Sequence, residues 1–274
     1  MKPNPILTVF IGITIIGGAS YFYTQEEKTA PTKDMAENTT TKSSIAIIKT
    51  AKAKTIDVFQ ANVFDYANVK NTAEKKQVFF DALRPIIISQ NQLIIEQREK
   101  ILHAQQTNKN QDWLQPLAEK YNVSWSADKA NWKQLLTHID TIPTELVMAQ
   151  AANESAWGLS RFAQKGNNLF GQWCFKKGCG IIPGQRDSGA NHEVRKFSSI
   201  NASVASYMHN LNSGRAYKDL RNLRADLRSS NKSVDGHTLA KGLTKYSSRG
   251  KAYVEEIQSM IKTNKRLMQG ISKT

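Results

Sequence analysis

At 274 residues, with 40% apolar and 22% charged side chains, the chain has room for one larger or two modest domains and suits a soluble globular body. A formal net charge of +15 and a pI near 9.7 predict attraction to a polyanion. No zinc finger, RNP motif or other nucleic-acid module accompanies that charge, so no nucleic-acid partner is expected, and a cell wall bearing carboxylates is equally anionic.

Residues 5–23 are uncharged and mostly apolar, with Lys2 as a basic flank, and are about as long as a bilayer core requires. The length also suits a long signal-peptide core. No clear small-x-small cleavage site follows, and Tyr21, Phe22 and Tyr23 resemble an interfacial aromatic belt, so an uncleaved anchor is favoured over a cleaved signal. Residues 1–25 are therefore read as an anchor or signal segment, and either reading exports the body to the periplasm. Residues 26–44, rich in Thr, Lys, Glu, Asn and Pro without apolar period, read as a flexible linker.

Residues 45–130 read as an N-terminal helical region. Within it Val78, Phe79, Ala82, Ile86, Leu93 and Ile94 recur at helical spacing, with a kink expected at Pro85. Shorter helices are expected over 113–121 and 132–139. Pro143 then suits the first turn of a further helix. That helix runs through Ala149-Gln-Ala-Ala-Asn-Glu154-Ser-Ala-Trp157-Gly158, small and apolar residues leading to one glutamate and then a glycine able to end it.

An acid on the last turn sits where the helix end is partially negative, and Trp157, Phe162 and Phe170 are expected to desolvate it. Both effects raise its pKa, as protonation of a departing glycosidic oxygen requires. The plainer reading is a helix end whose acid merely caps a loop. Asn167, Asn168, Gln172 and the nearby aromatics shift the balance to a sugar cleft. Ser155 is expected to satisfy backbone groups at the helix end.

Cys174 and Cys179, the only cysteines, form a C-x4-C loop that reads as a disulfide in an oxidising compartment. The five histidines are scattered, so no metal and no cofactor are expected. Glycines and a proline punctuate short β-prone runs over 178–197, read as a small hairpin. Helices follow over 203–211, 216–227 and 251–267. In the second, Leu220, Leu223 and Leu227 form one face, and Arg221, Arg224 and Arg228 form a second face read as solvated rather than as a site for anionic glycan peptides.

The run from Ile142-Pro143 through Glu154 to Asn168-Leu-Phe-Gly-Gln-Trp-Cys-Phe175 resembles the Bax proteins of Gram-negative bacteria, in the glucosaminidase group of glycoside hydrolase family 73. Glu193-Val-Arg-Lys-Phe197, Tyr207-Met-His-Asn-Leu-Asn212 and Lys245-Tyr-Ser-Ser-Arg-Gly-Lys-Ala-Tyr253 carry the same likeness. The resemblance spans residues 75–262. It implies a mainly α, lysozyme-like (α+β) domain over 131–270: a helical lobe holding the acid and a small β-lobe roofing the cleft. It also implies hydrolysis of N-acetylglucosaminyl bonds in peptidoglycan glycan strands; a monomer is expected.

The family's acid maps onto Glu154 and its active-site tyrosine onto Tyr246. A second carboxylate is less well matched: residues 180–186 hold no acid, which leaves Glu193, in the better strand context, and Asp187. Either would activate water or act as nucleophile, depending on its distance from the acid. If neither serves, the substrate's acetamido group assists, oriented by Tyr246. Trp157, Phe170 and Trp173 are the candidate sugar platforms, of which one is expected to face the cleft while the others pack. Asn168 and Gln172 are candidate hydrogen-bond partners for acetamido or hydroxyl groups. A lytic transglycosylase, a wall-binding scaffold without catalysis and a basic nucleic-acid binder are the competing readings.

Overall fold

The computed structural model describes residues 64–107, 112–126, 130–184, 186, 189 and 191–271. The expected anchor, the linker, the helical stretch before residue 64 and Asp187 lie outside the described residues.

Helix α1, Thr72–Thr107, opens on a capping box. The Asn71 side chain accepts from the Ala73 and Glu74 amides at 3.0 Å each, and Glu74 reaches back to the Lys70 amide at 2.8 Å. Its 36 residues run through Pro85 as one helix. The buried row Phe79, Phe80, Leu83, Ile86 and Ile87 anchors the helix on both sides of the proline. At about 1.5 Å per residue the helix is long enough to serve two cores.

Its first half lies in the main core, with residues 142–268. Its second half packs against α2 (Leu114–Lys120) and α3 (Trp132–His138) in a smaller cluster around Ile101, Leu114, Leu135 and Ile139. Arg98 ties the two together by donating to the Leu136 and Ile139 carbonyls. Each cluster draws on residues from both sides of residue 130.

Helix α4, Thr144–Ser155, is the centre of the main core. Leu146, Val147, Met148, Ala149, Ala151 and Ala152 are all buried, so the helix is enclosed nearly all round. It ends in three successive left-handed residues: Ala156 at φ 51°, Trp157 at 62° and Gly158 at 78°. Gly158 is thus the last of the reversal rather than the whole of it, and a Cβ there would collide with the Phe64 ring. Ser155 does what the sequence suggested: its hydroxyl donates to the Ala151 carbonyl at 2.6 Å and accepts from the Gly158 amide at 2.7 Å.

After α5 (Arg161–Gly166) come β1 (Trp173–Cys174), β2 (Gly180–Ile181) and β3 (Glu193–Arg195). They form a three-stranded antiparallel sheet in the order β1-β3-β2 rather than a hairpin. Val194 stands opposite both Trp173 and Ile181. Consecutive strands β1 and β2 are separated by β3, and the Cys174–Cys179 disulfide, with Cα atoms 6.2 Å apart, closes the loop between them. Gly180 is required at its place, since any Cβ would meet the Val194 carbonyl.

Helix α6 (Ile200–Ser213), a 3-10 turn (Arg215–Tyr217), α7 (Lys218–Ser229), the short α8 (Gly236–Leu239), a second 3-10 turn (Ala240–Leu243) and α9 (Lys251–Met268) complete the body. The fold is mainly α and lysozyme-like, with a small β-lobe. Among the described residues no helix is long and apolar enough to cross a membrane.

The arginine row on α7 is not a solvated face. Arg221 and Arg224 are buried, and only Arg228 reaches solvent. Arg224 donates to the Thr137, Asp140 and Thr141 carbonyls and to Asn212 Oδ1, and Arg228 grips the buried Asp140 carboxylate at 2.8 and 2.9 Å. The loop that ends α3 leaves carbonyls without helical partners, and the guanidinium groups satisfy them.

Candidate active site

Glu154 sits on the last turn of α4, partly buried, where the helix end is partially negative. Burial raises its pKa above the ordinary carboxylate range; hydrogen bonds from Tyr253 and Asn153 oppose the shift, the nearby Glu256 adds to it and Arg249 works against it. The groups that enclose it differ from those expected. Trp157, turned away by its left-handed backbone, packs edge-on against Phe79 and Phe80 of α1 at 5.6 and 5.4 Å, with Lys76 over its ring. Its carbonyl accepts from the Tyr66 hydroxyl. It is a core wedge and not a sugar platform.

Tyrosines take its place around the acid. Tyr253 of α9 donates its hydroxyl to Glu154 Oε1 at 2.8 Å. Tyr253 in turn accepts from Gln150 Nε2 at 3.0 Å, and Tyr207 of α6 donates to Gln150 Oε1. Tyr246 stacks on Tyr253 with centroids 5.1 Å apart, and Tyr217 lies 6.1 Å from Tyr246. Burial raises the pKa of Tyr207, Tyr246 and Tyr253 well above 10 and that of Tyr217 to about 12. All four phenols therefore remain protonated donors beside the acid.

Tyr246 lies close enough to Glu154 for the acid's charge to bear on its hydroxyl, which donates to the Phe170 carbonyl at 3.3 Å. Tyr207 and Tyr253 stand in sequence only within segments that carry the family likeness, and neither they nor Tyr217 and Gln150 were expected at the site. A signal existed for Gln150, the lone polar residue mid-way along an apolar helix and one turn before Glu154. The tyrosines come from separate elements that nothing local marks as neighbours.

Glu193 is placed elsewhere in the chemistry. Its carboxylate is buried in β3 and accepts from the Gly178 amide at 2.9 Å and the Gly180 amide at 2.7 Å. Those two backbone bonds hold its pKa below the usual range. Each oxygen thus takes one amide hydrogen bond from the disulfide loop, which ties the side chain to that loop. Cys174, Cys179 and Glu193 bring potential metal-ligating atoms within 4.8 Å of one another. With the sulfurs bonded to each other and the carboxylate held by amides, that donor set does not suit a cation.

Two other sugar-binding candidates are structural. Asn168 is buried, donating to the Gln172 and Arg195 carbonyls at 2.8 and 2.9 Å and accepting from the Phe170 and Gln172 amides. Its amide ties the 168–172 turn to β3 and has no capacity left for a ligand. Phe170 is buried and stacked face to face on Tyr207 at 3.8 Å, so it supports the tyrosine rather than a pyranose.

Gln172 and Trp173 keep their candidacy. Gln172 donates to Ser206 Oγ at 3.0 Å, while its buried Oε1 has no partner among the described residues. Trp173 stays outside both cores, half-buried, with one face on His192 at 4.1 Å.

The glucosaminidase family model, described as Mannosyl-glycoprotein endo-beta-N-acetylglucosaminidase, matches residues 129–266, a span that includes Glu154, the β-lobe and Tyr246. The chain is also 35% identical over 200 residues to Protein bax of Escherichia coli (strain K12), covering 71% of this chain and 71% of that protein. No solved structure matches the chain.

Proposed function

The chain belongs to the Bax group of the glucosaminidase family, and from that membership and the surroundings of Glu154 we propose that it hydrolyses the β-1,4 bond after N-acetylglucosamine in peptidoglycan glycan strands. The observation that carries the proposal is the Glu154 carboxyl at a helix end, its pKa raised by burial and four phenols gathered around it. Glu154 gives its proton to the departing oxygen as the C1–O bond breaks. The clamped Glu193 favours assistance by the substrate: the acetamido carbonyl oxygen closes on C1 to form a cyclic oxazolinium. Water then opens that ring, losing a proton to the Glu154 carboxylate and restoring the acid.

Tyr246 orients the acetamido group, Gln172 Oε1 accepts from its N–H, and Trp173 supports a sugar face. Neither a metal nor a cofactor enters this chemistry. We place the enzyme in the periplasm as a monomer, held at the inner membrane by residues 5–23. The disulfide fits an oxidising compartment, and the +15 charge fits an anionic wall.

Mass spectrometry of digested sacculi tests the reading. New N-acetylglucosamine reducing ends that vanish with Glu154→Gln support it. Release of 1,6-anhydro-muramyl ends would instead establish a lytic transglycosylase, which also works with one glutamate. Undiminished sacculus binding without fragment release by wild type and variant alike would leave a scaffold.

A further inference from the structure

We propose that Tyr207, Gln150 and Tyr253 form a buried donor chain that positions Glu154, keeping its Oε1 as an acceptor and leaving Oε2 to carry the transferable proton. The proposal rests on the reading of Glu154 as the acid. Gln150 and Glu154 are four residues apart on α4 and share one helix face. Tyr207 comes from α6 and Tyr253 from α9, so three helices must be assembled before the chain exists.

Its polarity is fixed at every link. The Tyr207 hydroxyl donates to Gln150 Oε1, which orients the amide so that Nε2 donates to the Tyr253 oxygen at 3.0 Å. With its oxygen so occupied, Tyr253 directs its own proton to Glu154 Oε1 at 2.8 Å. Asn153 Nδ2 approaches the same oxygen at 3.4 Å. Each donor polarises the next toward the carboxyl.

Oε1 accepts in both charge states, so the acid's proton resides on Oε2. Donation stabilises the carboxylate and counters the burial that favours the protonated form. The chain thus keeps the acid able to release its proton, not only to hold it. Around the carboxyl, the other groups bearing on its charge are Tyr217 from the turn after α6, Tyr246 and Arg249 from the segment before α9, and Glu256 on α9. Arg249 and Glu256 pair with each other and act on Glu154 in opposite directions.

The test is a carboxyl titration by NMR on full-length protein labelled with carbon-13 at the glutamate carboxyl, Glu154 being assigned from the signal lost in Glu154→Gln. Tyr253→Phe, which removes only the last donor, is expected to move the Glu154 midpoint upward by about one pH unit. Tyr207→Phe, two links away, should move it the same way by less than half as much. The alkaline limb of kcat/KM should shift in the same order.

An unchanged midpoint in Tyr253→Phe overturns the proposal, as does a Tyr207→Phe midpoint equal to wild type. Should Tyr253→Phe lose its cooperative melt, Gln150→Met removes the middle link at similar volume and must raise the midpoint. If Glu154→Gln still hydrolyses glycan, the acid assignment fails while the titrations continue to report on the donor chain itself.

Discussion

Glu193 Oε2 lies 2.7 Å from the Gly180 amide, and its other oxygen meets the Gly178 amide, so a strand acid pins the loop closed by Cys174–Cys179. Glu193→Gln should therefore keep the rate of glycan hydrolysis within a fewfold of wild type while lowering thermal stability. Because the folded pKa is depressed, the carboxylate's contribution is present above its unfolded pKa, about 4.3, and is lost as pH falls through the folded value. Melting curves should show wild type and variant converging in that acid range. A hundredfold loss of activity with an unchanged melt would return Glu193 to the mechanism.

Glu154 has the opposite sign. Its folded pKa is raised, so the folded state is favoured at low pH and loses ground as pH climbs through the folded value. Glu154→Gln should abolish hydrolysis and stabilise the protein by on the order of 1 kcal/mol at neutral pH, with little difference near pH 4. Calorimetry at the two pH values checks it, and a variant less stable than wild type at neutral pH would contradict it.

Tyr246→Phe removes a hydroxyl while leaving the ring stacked on Tyr253. Loss of one hydrogen bond to the reacting substrate is worth about 1.5 kcal/mol, roughly tenfold in kcat. The melting temperature should change little, since the Phe170 carbonyl it releases is held at only 3.3 Å. Steady-state kinetics showing an unchanged kcat would remove Tyr246 from the site.

Arg224→Met leaves the Thr137, Asp140 and Thr141 carbonyls without their donor and weakens the partners of a buried Asp140, a loss on the order of 3–5 kcal/mol. Arg228→Ala, at a half-exposed side chain, should cost about 1 kcal/mol. Burial alone would raise the Asp140 pKa, but the Arg228 hydrogen bonds with Arg224 and Arg98 nearby bring it below the usual range. Asp140 thus contributes stability above about pH 4 that disappears on acidification through its folded pKa. Denaturant titrations of the two variants at pH 7 should preserve their order.

Local chemistry was legible in the residues themselves. Apolar spacing placed the helices around Phe79 and Ile86 and the one ending at Glu154, the C-x4-C spacing announced the disulfide, and the acid stood out on its helix end with Ser155 beside it. Each depends on residues within a turn or two of one another, where period and side-chain type suffice.

Tertiary structure decided the rest. Arg224 looks like a solvated residue until the α3 loop presents its carbonyls, and the two loop amides that hold Glu193 are not foreseeable from its strand. Trp157 was drawn to the site by sequence proximity, yet its backbone turns it onto α1, while Tyr207 and Tyr253 reach the acid from helices 50 to 100 residues further along. A side chain's neighbours across such separations are set by which helix faces pack together, and no short window of sequence contains that information.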